Sequence, residues 1–133
     1  MTAESKKLSV IVVTFNSLPV LRPCLTHLRT ALKDIDHELI LVDNASAEDP
    51  LPTARKVFPK LRSVVNSSNA GFATACNQGA DTSEGEILLF VNPDVMCDPD
   101  SIVNLQQEYE RGEKVGVLGA RMRFADGSFQ ATC

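Results

Sequence analysis

Polar residues directly after apolar runs of strand length could bind a divalent cation and a nucleotide. Asp94 closes the sequence Asn92-Pro93-Asp94, which follows the apolar run of residues 86–91. Divalent cations such as Mg²⁺ and Mn²⁺ prefer oxygen ligands and often take one or two carboxylates together with substrate phosphates. Asp94 is therefore a candidate metal ligand, and the alternative is that it only forms a turn.

A second carboxylate, Asp43, ends the apolar run of residues 38–43. An acid at the end of a second strand can accept hydrogen bonds from the ribose or base of a nucleotide. It can equally cap the loop or helix that follows. Asp98 and Asp100 lie close to Asp94 in sequence, but their position before a helix-like pattern favours helix capping over metal binding.

Gly71 follows Asn69 and Ala70 and precedes a helical pattern. A glycine there permits positive φ and a close backbone approach, and a helix start can face an anionic group. No Lys-Ser/Thr pair follows the glycine, and no G-x-G-x-x-G follows the first strand, so ATPase and nicotinamide motifs are missing. The serine-hydrolase G-x-S-x-G is also absent. His27 and His37 are not expected to be catalytic.

The apolar runs and helical patterns alternate along the chain. The continuous β-branched run of residues 8–15 is typical of a central parallel strand that is buried on both faces. Buried strands are also predicted at 38–43 and 86–91, a shorter one at 61–66 and a fifth at 115–122. The first predicted helix has capping oxygens at 16–17 and Pro19 in its first turn, and its regular part is expected to begin near Pro23. The other predicted helices are a second over 53–58, a third over 72–80 with Gly79 at or beyond its end, and a fourth with Pro99 in its first turn. Asp126-Gly127 predicts a hairpin turn.

This alternation indicates an α/β fold, Rossmann-like, with a mostly parallel sheet flanked by helices and right-handed crossovers. In such sheets ligands bind beyond the carboxyl ends of the strands, where the strand order reverses. The segments 14–16, 43–44 and 92–94 are therefore expected to meet at one edge of the sheet.

The composition of the chain argues against some classes of binding partner. The formal net charge of -4 and the pI of about 5.1 argue against a nucleic-acid partner and against a polybasic membrane-surface anchor. The four cysteines form no C-x-x-C pair or zinc-type spacing, and no apolar run has the length of a signal or membrane-spanning segment. These features favour free thiols and a cytoplasmic location.

Four segments resemble family 2 glycosyltransferases in order and spacing: SVIVVTFN at 9–16, LILVDNAS at 39–46, NAGFATACNQG at 69–79 and LLFVNPDV at 88–95. Their forms are most similar to the bacterial rhamnosyltransferase-like branch, and the resemblance includes RMRFADGSFQ near the C-terminus. It implies a GT-A fold of which residues 1–133 form the N-terminal, nucleotide-binding half. Because the family's domains are longer, the domain is expected to be incomplete at its C-terminus.

The resemblance also implies roles for individual residues. Thr14, Asn16 and Asp43 would contact the base and ribose, Asn69 and Gly71 would lie near the nucleotide, and Asn77 would line or support the donor pocket. Asp94 would be the metal-binding acid of a D-x-D-type motif, with Asn92 in place of its first aspartate.

The implied reaction transfers a sugar from a UDP- or dTDP-linked donor to a glycan or lipid-linked acceptor, with inversion, at the inner face of the membrane. Mg²⁺ or Mn²⁺ would stabilise the leaving diphosphate. A carboxylate would deprotonate the acceptor, but no residue is a convincing candidate, and Asp126 is expected only to form its turn. Apolar surface left open by the incomplete domain would favour a homo-oligomer.

Three alternative functions were compared with the sequence: the first stays open, and specific residues argue against the other two. A truncated, catalytically inactive module that binds nucleotide sugars fits the same motifs. A sugar-1-phosphate nucleotidyltransferase needs a glycine-rich, basic loop after the first strand, and the sequence Thr-Phe-Asn-Ser at 14–17 provides neither feature. A flavodoxin-like receiver needs an acidic pair at the same place, which is also missing.

Overall fold

A four-stranded parallel sheet forms the centre of the protein, in a computed structural model that describes residues 6–131. The strand order is β3-β2-β1-β4, and a separate hairpin pairs β5 with β6. The strands are β1 (Leu8–Thr14), β2 (His37–Asp43), β3 (Arg62–Val65), β4 (Ile87–Val91), β5 (Met122–Arg123) and β6 (Phe129–Gln130). The helices are α1 (Leu18–Ala31), α2 (Leu51–Val57), α3 (Phe72–Thr82) and α4 (Ser101–Arg111).

The central strands of the sheet, β1 and β2, are covered on both faces, as the sequence predicts. Every residue of β1 is buried, because β2 and β4 flank it and helices pack above and below. Val10 and Val12 face a core shared with α1, α2 and α4, whereas Ile11 and Val13 face α3. The predicted α/β architecture with a mostly parallel sheet is confirmed.

The prediction that Gly79 lies at or beyond the end of its helix is wrong. Gly79 is a buried residue inside α3, and a Cβ atom placed there would lie 2.5 Å from Cγ2 of Ile11. The helix continues past the glycine because hydroxyl groups satisfy its last carbonyls. Thr82 Oγ1 donates to the carbonyls of Gln78 and Gly79, and Ser83 Oγ donates to the carbonyl of Ala80 at 2.6 Å. The glycine therefore allows α3 to approach the sheet closely.

Two proline positions also differ from expectation. Helix α1 begins at Leu18 and runs through Pro23. Pro23 is tolerated because it is exposed, so the Pro19 carbonyl that loses its helical partner can be solvated. Helix α4 begins at Ser101 with Asp100 as N-cap, so Pro99 precedes the helix. The Ser101 N–H donates to the Asp98 carbonyl at 3.1 Å, which closes a turn before the helix starts.

Strand β4 is not buried on both faces as predicted. It is the edge strand of the sheet, and Leu88 and Phe90 are 40% and 46% exposed. Helix α3 packs against β1 and β2 and leaves this face of β4 open. A long apolar run therefore did not indicate burial here, since burial depends on which elements flank the strand.

The predicted strand at 115–122 is largely absent as well. Only Met122–Arg123 is extended, and it pairs with Phe129–Gln130 across the Asp126-Gly127 turn, which is confirmed. Residues 116–118 instead line a cleft of about 580 Å³ beside the free edge of β4. Without a neighbouring strand, these residues lack the hydrogen-bond partners that would hold them extended.

A charged network stabilises the amino-terminal end of the sheet. The Ser9 hydroxyl donates to Glu38 Oε1 at 2.6 Å, and Arg62 donates to Glu38 Oε2 at 3.1 Å. The Glu84 backbone N–H also donates to Oε1. Burial raises the pKa of Glu38, but these hydrogen bonds outweigh it and lower the pKa from 4.5 to about 2. The ionised carboxylate therefore stabilises the fold.

Replacing Glu38 with glutamine should lower the free energy of unfolding at pH 7 by about 1–2 kcal/mol. A carboxyl group whose pKa is lowered in the folded state stabilises the fold at pH values above its unfolded-state pKa. This stabilisation is lost as the pH falls through the folded-state pKa. The difference between wild type and Glu38→Gln should therefore narrow between pH 4.5 and about 2. Urea denaturation across this range measures it, with Glu113→Gln at an exposed position as the control. A constant difference at all pH values would contradict the assignment.

Candidate functional site

The carboxyl ends of β1, β2 and β4 meet at a pocket of about 240 Å³. This is the edge at which the sequence predicts a ligand. Two residues that were predicted for the site, Asn69 and Asn92, line the pocket. The other lining residues are Val13, Phe15, Ser17, Asn44, Phe72 and Pro93.

Two exposed aromatic side chains contribute to the pocket. Phe15 follows β1 and is 47% exposed, and Phe72 begins α3 and is 59% exposed. Large apolar side chains that are this exposed can bury apolar surface against a ligand, and an aromatic ring can stack on a nucleobase. Phe15 lies in the predicted site segment 14–16 and Phe72 directly follows the 69–71 turn, but neither aromatic side chain was assigned a role. The signal was available in their places, directly after a strand and directly after Gly71.

Asp43 and Asn16 join the two loops that follow β1 and β2. Asp43 Oδ1 accepts from the Ser46 hydroxyl at 2.6 Å, and Asp43 Oδ2 accepts from the Ser46 N–H at 3.2 Å. The Asn16 N–H donates to Ser46 Oγ at 2.9 Å, and Asn16 Oδ1 accepts from the Ala47 N–H at 2.8 Å. Asp43 thus has the loop-capping role that was one of its two interpretations. Neither Asp43 nor Asn16 lines the pocket.

The backbone of these loops is held in a strained region. Asn16 has φ of 50° and Ala45 has φ of 66°. Left-handed conformations cost about 1 kcal/mol or more for residues other than glycine, and they persist where the surroundings over-determine them. The hydrogen bonds through Ser46 provide that support. The loops are therefore shaped before any ligand arrives.

Thr14 is fully buried and does not line the pocket. Its Oγ1 is the only buried side-chain polar atom of residues 6–131 that has no hydrogen-bond partner. A buried hydroxyl group without a hydrogen-bond partner lowers the free energy of unfolding. Direct contact between the Thr14 side chain and a nucleotide therefore requires a rearrangement of its surroundings.

Gly71 belongs to the 69–71 loop, which borders the pocket. It has φ of 86°, and its N–H donates to Asn69 Oδ1 at 2.9 Å. The positive φ explains the need for glycine here. Asn77 lies further along α3, where it is exposed and does not line the pocket.

Asp94 has an exposed carboxylate beside the pocket-lining residues Asn92 and Pro93. Within residues 6–131 the structure gives this carboxylate no hydrogen bond and no ion pair. The Cys24 thiol anchors the loop from α1 by donating to the Asn92 carbonyl at 3.6 Å. Asp98, by contrast, is paired with Arg123 at 2.6 Å. Asp94 is therefore free to bind a ligand, and Asp98 is not.

The structure tests a metal site only in part. No group of three or more His, Cys, Asp or Glu side chains in the described part of the chain could hold a metal ion. A cation at Asp94 would therefore take most of its ligands from phosphate and water, which Mg²⁺ commonly does. The donor set fits a metal that arrives with a diphosphate.

Within residues 6–131, no cysteine or histidine lines the pocket. Cys24, Cys76 and Cys97 are free thiols, and Cys133 lies outside the described residues. Burial, followed by the nearby Cys97, raises the pKa of Cys24 to about 12, so its thiol stays protonated. His27 and His37 do not line the pocket.

Asp126 is the remaining acid that was considered. Its Oδ1 accepts hydrogen bonds from the Ser128 hydroxyl at 2.6 Å and from the Ser128 N–H at 2.8 Å. These bonds lower the pKa of Asp126. Asp126 therefore stabilises the predicted turn as an ionised carboxylate.

Comparison with known proteins gives one family. The sequence model described as glycosyl transferase family 2 matches residues 9–132. A dodecaprenyl-phosphate galacturonate synthase from Rhizobium johnstonii is 33% identical over 95% of this chain and 39% of its own length. An N-acetylglucosaminyl-diphospho-decaprenol L-rhamnosyltransferase from Mycobacterium tuberculosis is 30% identical over 91% of this chain and 43% of its own length. The chain thus spans about two fifths of the length of these relatives.

Solved structures share the fold. S. aureus TarS in complex with UDP superimposes with a TM-score of 0.67 and 26% identity, over 78% of this chain and 33% of that chain. A mannosyltransferase from Pyrobaculum calidifontis, solved with GDP-Man and Mn²⁺, gives a TM-score of 0.68 and 24% identity over 75% and 31%. The expected GT-A architecture is confirmed by these matches. No helix in residues 6–131 combines the length and apolar character needed to cross a membrane.

Proposed function

Because the chain belongs to glycosyl transferase family 2, we propose that it binds the nucleotide-diphosphate sugar of a sugar-transfer reaction, with a divalent cation held at Asp94. The observation that carries this proposal is the pocket at the carboxyl ends of β1, β2 and β4, with the unpaired Asp94 carboxylate beside it. TarS, a relative in fold with 26% identity, was solved with UDP, which supports a uridine nucleotide, and the thymidine nucleotide stays a prediction.

We place the base and ribose of such a ligand against one set of side chains and its diphosphate against another. Phe15, Asn69 and Phe72 provide aromatic and amide groups for the base and ribose, near the loops that Asn16 and Asp43 shape. Asn92 and the neighbouring Asp94 provide oxygen atoms where the diphosphate would lie. When bound, Mg²⁺ or Mn²⁺ would neutralise charge on the leaving diphosphate.

The reaction itself is part of the proposal. A sugar would pass from the nucleotide to a glycan or lipid-linked acceptor with inversion, on the cytoplasmic side at the inner face of the membrane. The relatives from R. johnstonii and M. tuberculosis are named for polyprenyl-linked compounds, which supports a lipid-linked acceptor. We assign no catalytic base. The alternative is a catalytically inactive module that binds the nucleotide sugar, and a radiolabelled-sugar transfer assay separates the two.

Self-association belongs to the same proposal. Leu88 and Phe90 leave apolar surface on the edge strand β4, and Val117 and Leu118 extend it across the cleft. Exposed strand edges with apolar side chains tend to pair with other chains. We expect sedimentation velocity to show association at rising concentration, which Leu88→Lys reduces. A monomer at high concentration would contradict this expectation.

Calorimetric titration of UDP and dTDP, with and without Mn²⁺, tests the proposed function. We expect nucleoside diphosphate binding that Mn²⁺ strengthens, and the affinities for UDP and dTDP rank the two bases. A sample that unfolds cooperatively yet binds neither nucleotide would show that the proposal is wrong. A thermal melt of the same sample therefore accompanies each titration.

A further inference from the structure

We propose that Asn44 is a positioning residue, whose side-chain amide fixes the 69–71 loop as one wall of the pocket. This inference rests on the nucleotide-binding function proposed above. Asn44 directly follows β2, is 3% exposed and lines the pocket. The sequence predicts that segment 43–44 lies at the ligand-binding edge of the sheet, but it indicates no role for Asn44 itself.

The Asn44 side chain bonds to two peptide units of the loop, the Asn69–Ala70 unit and the Gly71–Phe72 unit. Its Nδ2 donates to the Gly71 carbonyl at 3.1 Å, and its Oδ1 accepts from the Ala70 N–H at 3.2 Å. These bonds fix the two peptide units that flank the Ala70–Gly71 peptide plane, beside a glycine that has φ of 86° and, without a Cβ atom, can adopt other conformations. The position of Asn69, which lines the pocket, depends on that plane because Asn69 Oδ1 accepts from the Gly71 N–H.

A second layer of amides holds Asn44 itself. Asn66, directly after β3, donates through Nδ2 to Asn44 Oδ1 at 2.9 Å and to Gln78 Oε1 at 2.8 Å. Gln78 on α3 returns a hydrogen bond from Nε2 to Asn66 Oδ1 at 3.0 Å. The network ties the ends of β2 and β3 to α3 and the loop. Hydrogen-bonded groups in such a closed set reinforce one another.

Only an amide satisfies the geometry at position 44. The Gly71 carbonyl needs a donor, whereas the Ala70 N–H and Asn66 need an acceptor. An ionised carboxylate of the same shape has no donor and would face the Gly71 carbonyl with like partial charge. Asn44→Asp therefore changes the hydrogen bonding while keeping the side-chain volume.

The test measures the affinity of the whole chain for UDP with Mn²⁺ and for UMP without metal. Asn44→Asp should weaken both ligands about tenfold, by the same factor, since one hydrogen bond to the loop is lost and the loop lies at the base and ribose end. The ratio of UDP affinities with and without Mn²⁺ should not change. Gln78→Ala, which removes only the outer layer, should weaken both ligands about threefold.

The control is Glu38→Gln, which destabilises the opposite end of the sheet and should leave both affinities unchanged. If wild type binds neither ligand, the proposed function fails and this inference fails with it. If wild type binds and both amide variants bind equally well, only the inference is overturned. A loss confined to metal-dependent UDP binding would also overturn it. Because Asn44→Asp is buried, cooperative melts must accompany the titrations, and Gln78→Ala decides the question if Asn44→Asp does not fold.

Discussion

Replacing Asp94 with alanine should weaken UDP binding in the presence of Mn²⁺ by about 100-fold, because the cation would lose its one protein carboxylate. The fold should be unaffected, since the Asp94 side chain is exposed and makes no hydrogen bond or ion pair within residues 6–131. Calorimetric titration with and without Mn²⁺ measures the effect. UMP binding without metal should be unchanged.

Asp100→Ala is the matched control for this variant. Asp100 lies in the same segment, is exposed, and makes no side-chain capping hydrogen bond at the start of α4. Removing its charge changes the local potential by the same amount without touching the proposed site. Equal losses in the two variants would mean that net charge near the pocket, and not a ligand at Asp94, attracts the nucleotide.

Gly79→Ala should lower the free energy of unfolding by about 2 kcal/mol and the Tm by roughly 8 °C. The added methyl group would lie 2.5 Å from Ile11 Cγ2 and 3.3 Å from Val42 Cγ2. Both neighbours belong to a close-packed core, so α3 must move away from the sheet. This cost should exceed the gain of about 1 kcal/mol that alanine brings to a helix interior.

Thermal denaturation of Gly79→Ala beside Gly116→Ala measures that cost. A Cβ atom at Gly116 would have no neighbour within 4 Å, so this substitution should be neutral or slightly stabilising. If Gly79→Ala were as stable as wild type, the close approach of α3 to β1 would be incorrect. Since α3 begins at the pocket, its displacement should also weaken nucleotide binding.

The fold was predictable wherever local sequence determines the structure. Strands β1 and β2 gave continuous apolar runs because both of their faces are buried, and the Asp126-Gly127 turn depends on its own residues alone. The predictions that were wrong depend on which elements lie beside a strand in the fold, and the strand's own sequence does not contain that information. The apolar run of β4 was read as buried although α3 leaves one face open, and the strand predicted at 115–122 has no partner to pair with.

The candidate site also contains residues that the sequence could predict and residues that it could not. Asn69, Asn92 and Asp94 could be proposed from the sequence because they lie between a predicted strand and a predicted helix and because the family resemblance gives them roles, and Asn69 and Asn92 line the pocket. The Asn44–Asn66–Gln78 network could not be found, because its members lie on three elements that only the folded chain brings together. Asp43 had two interpretations, and the bond to Ser46 supports capping without testing nucleotide contact.

The parallel sheet also bears on how the chain acquires its structure during synthesis. Strand β1 pairs with β2 on one side, but its other neighbour, β4, emerges from the ribosome only after α1, β2, α2, β3 and α3. Pairings between distant segments form slowly because the intervening loop must first close. Until then the nascent chain presents an unpaired, apolar edge of β1. Chaperone dependence during translation is therefore expected to end once residues 87–91 have left the exit tunnel.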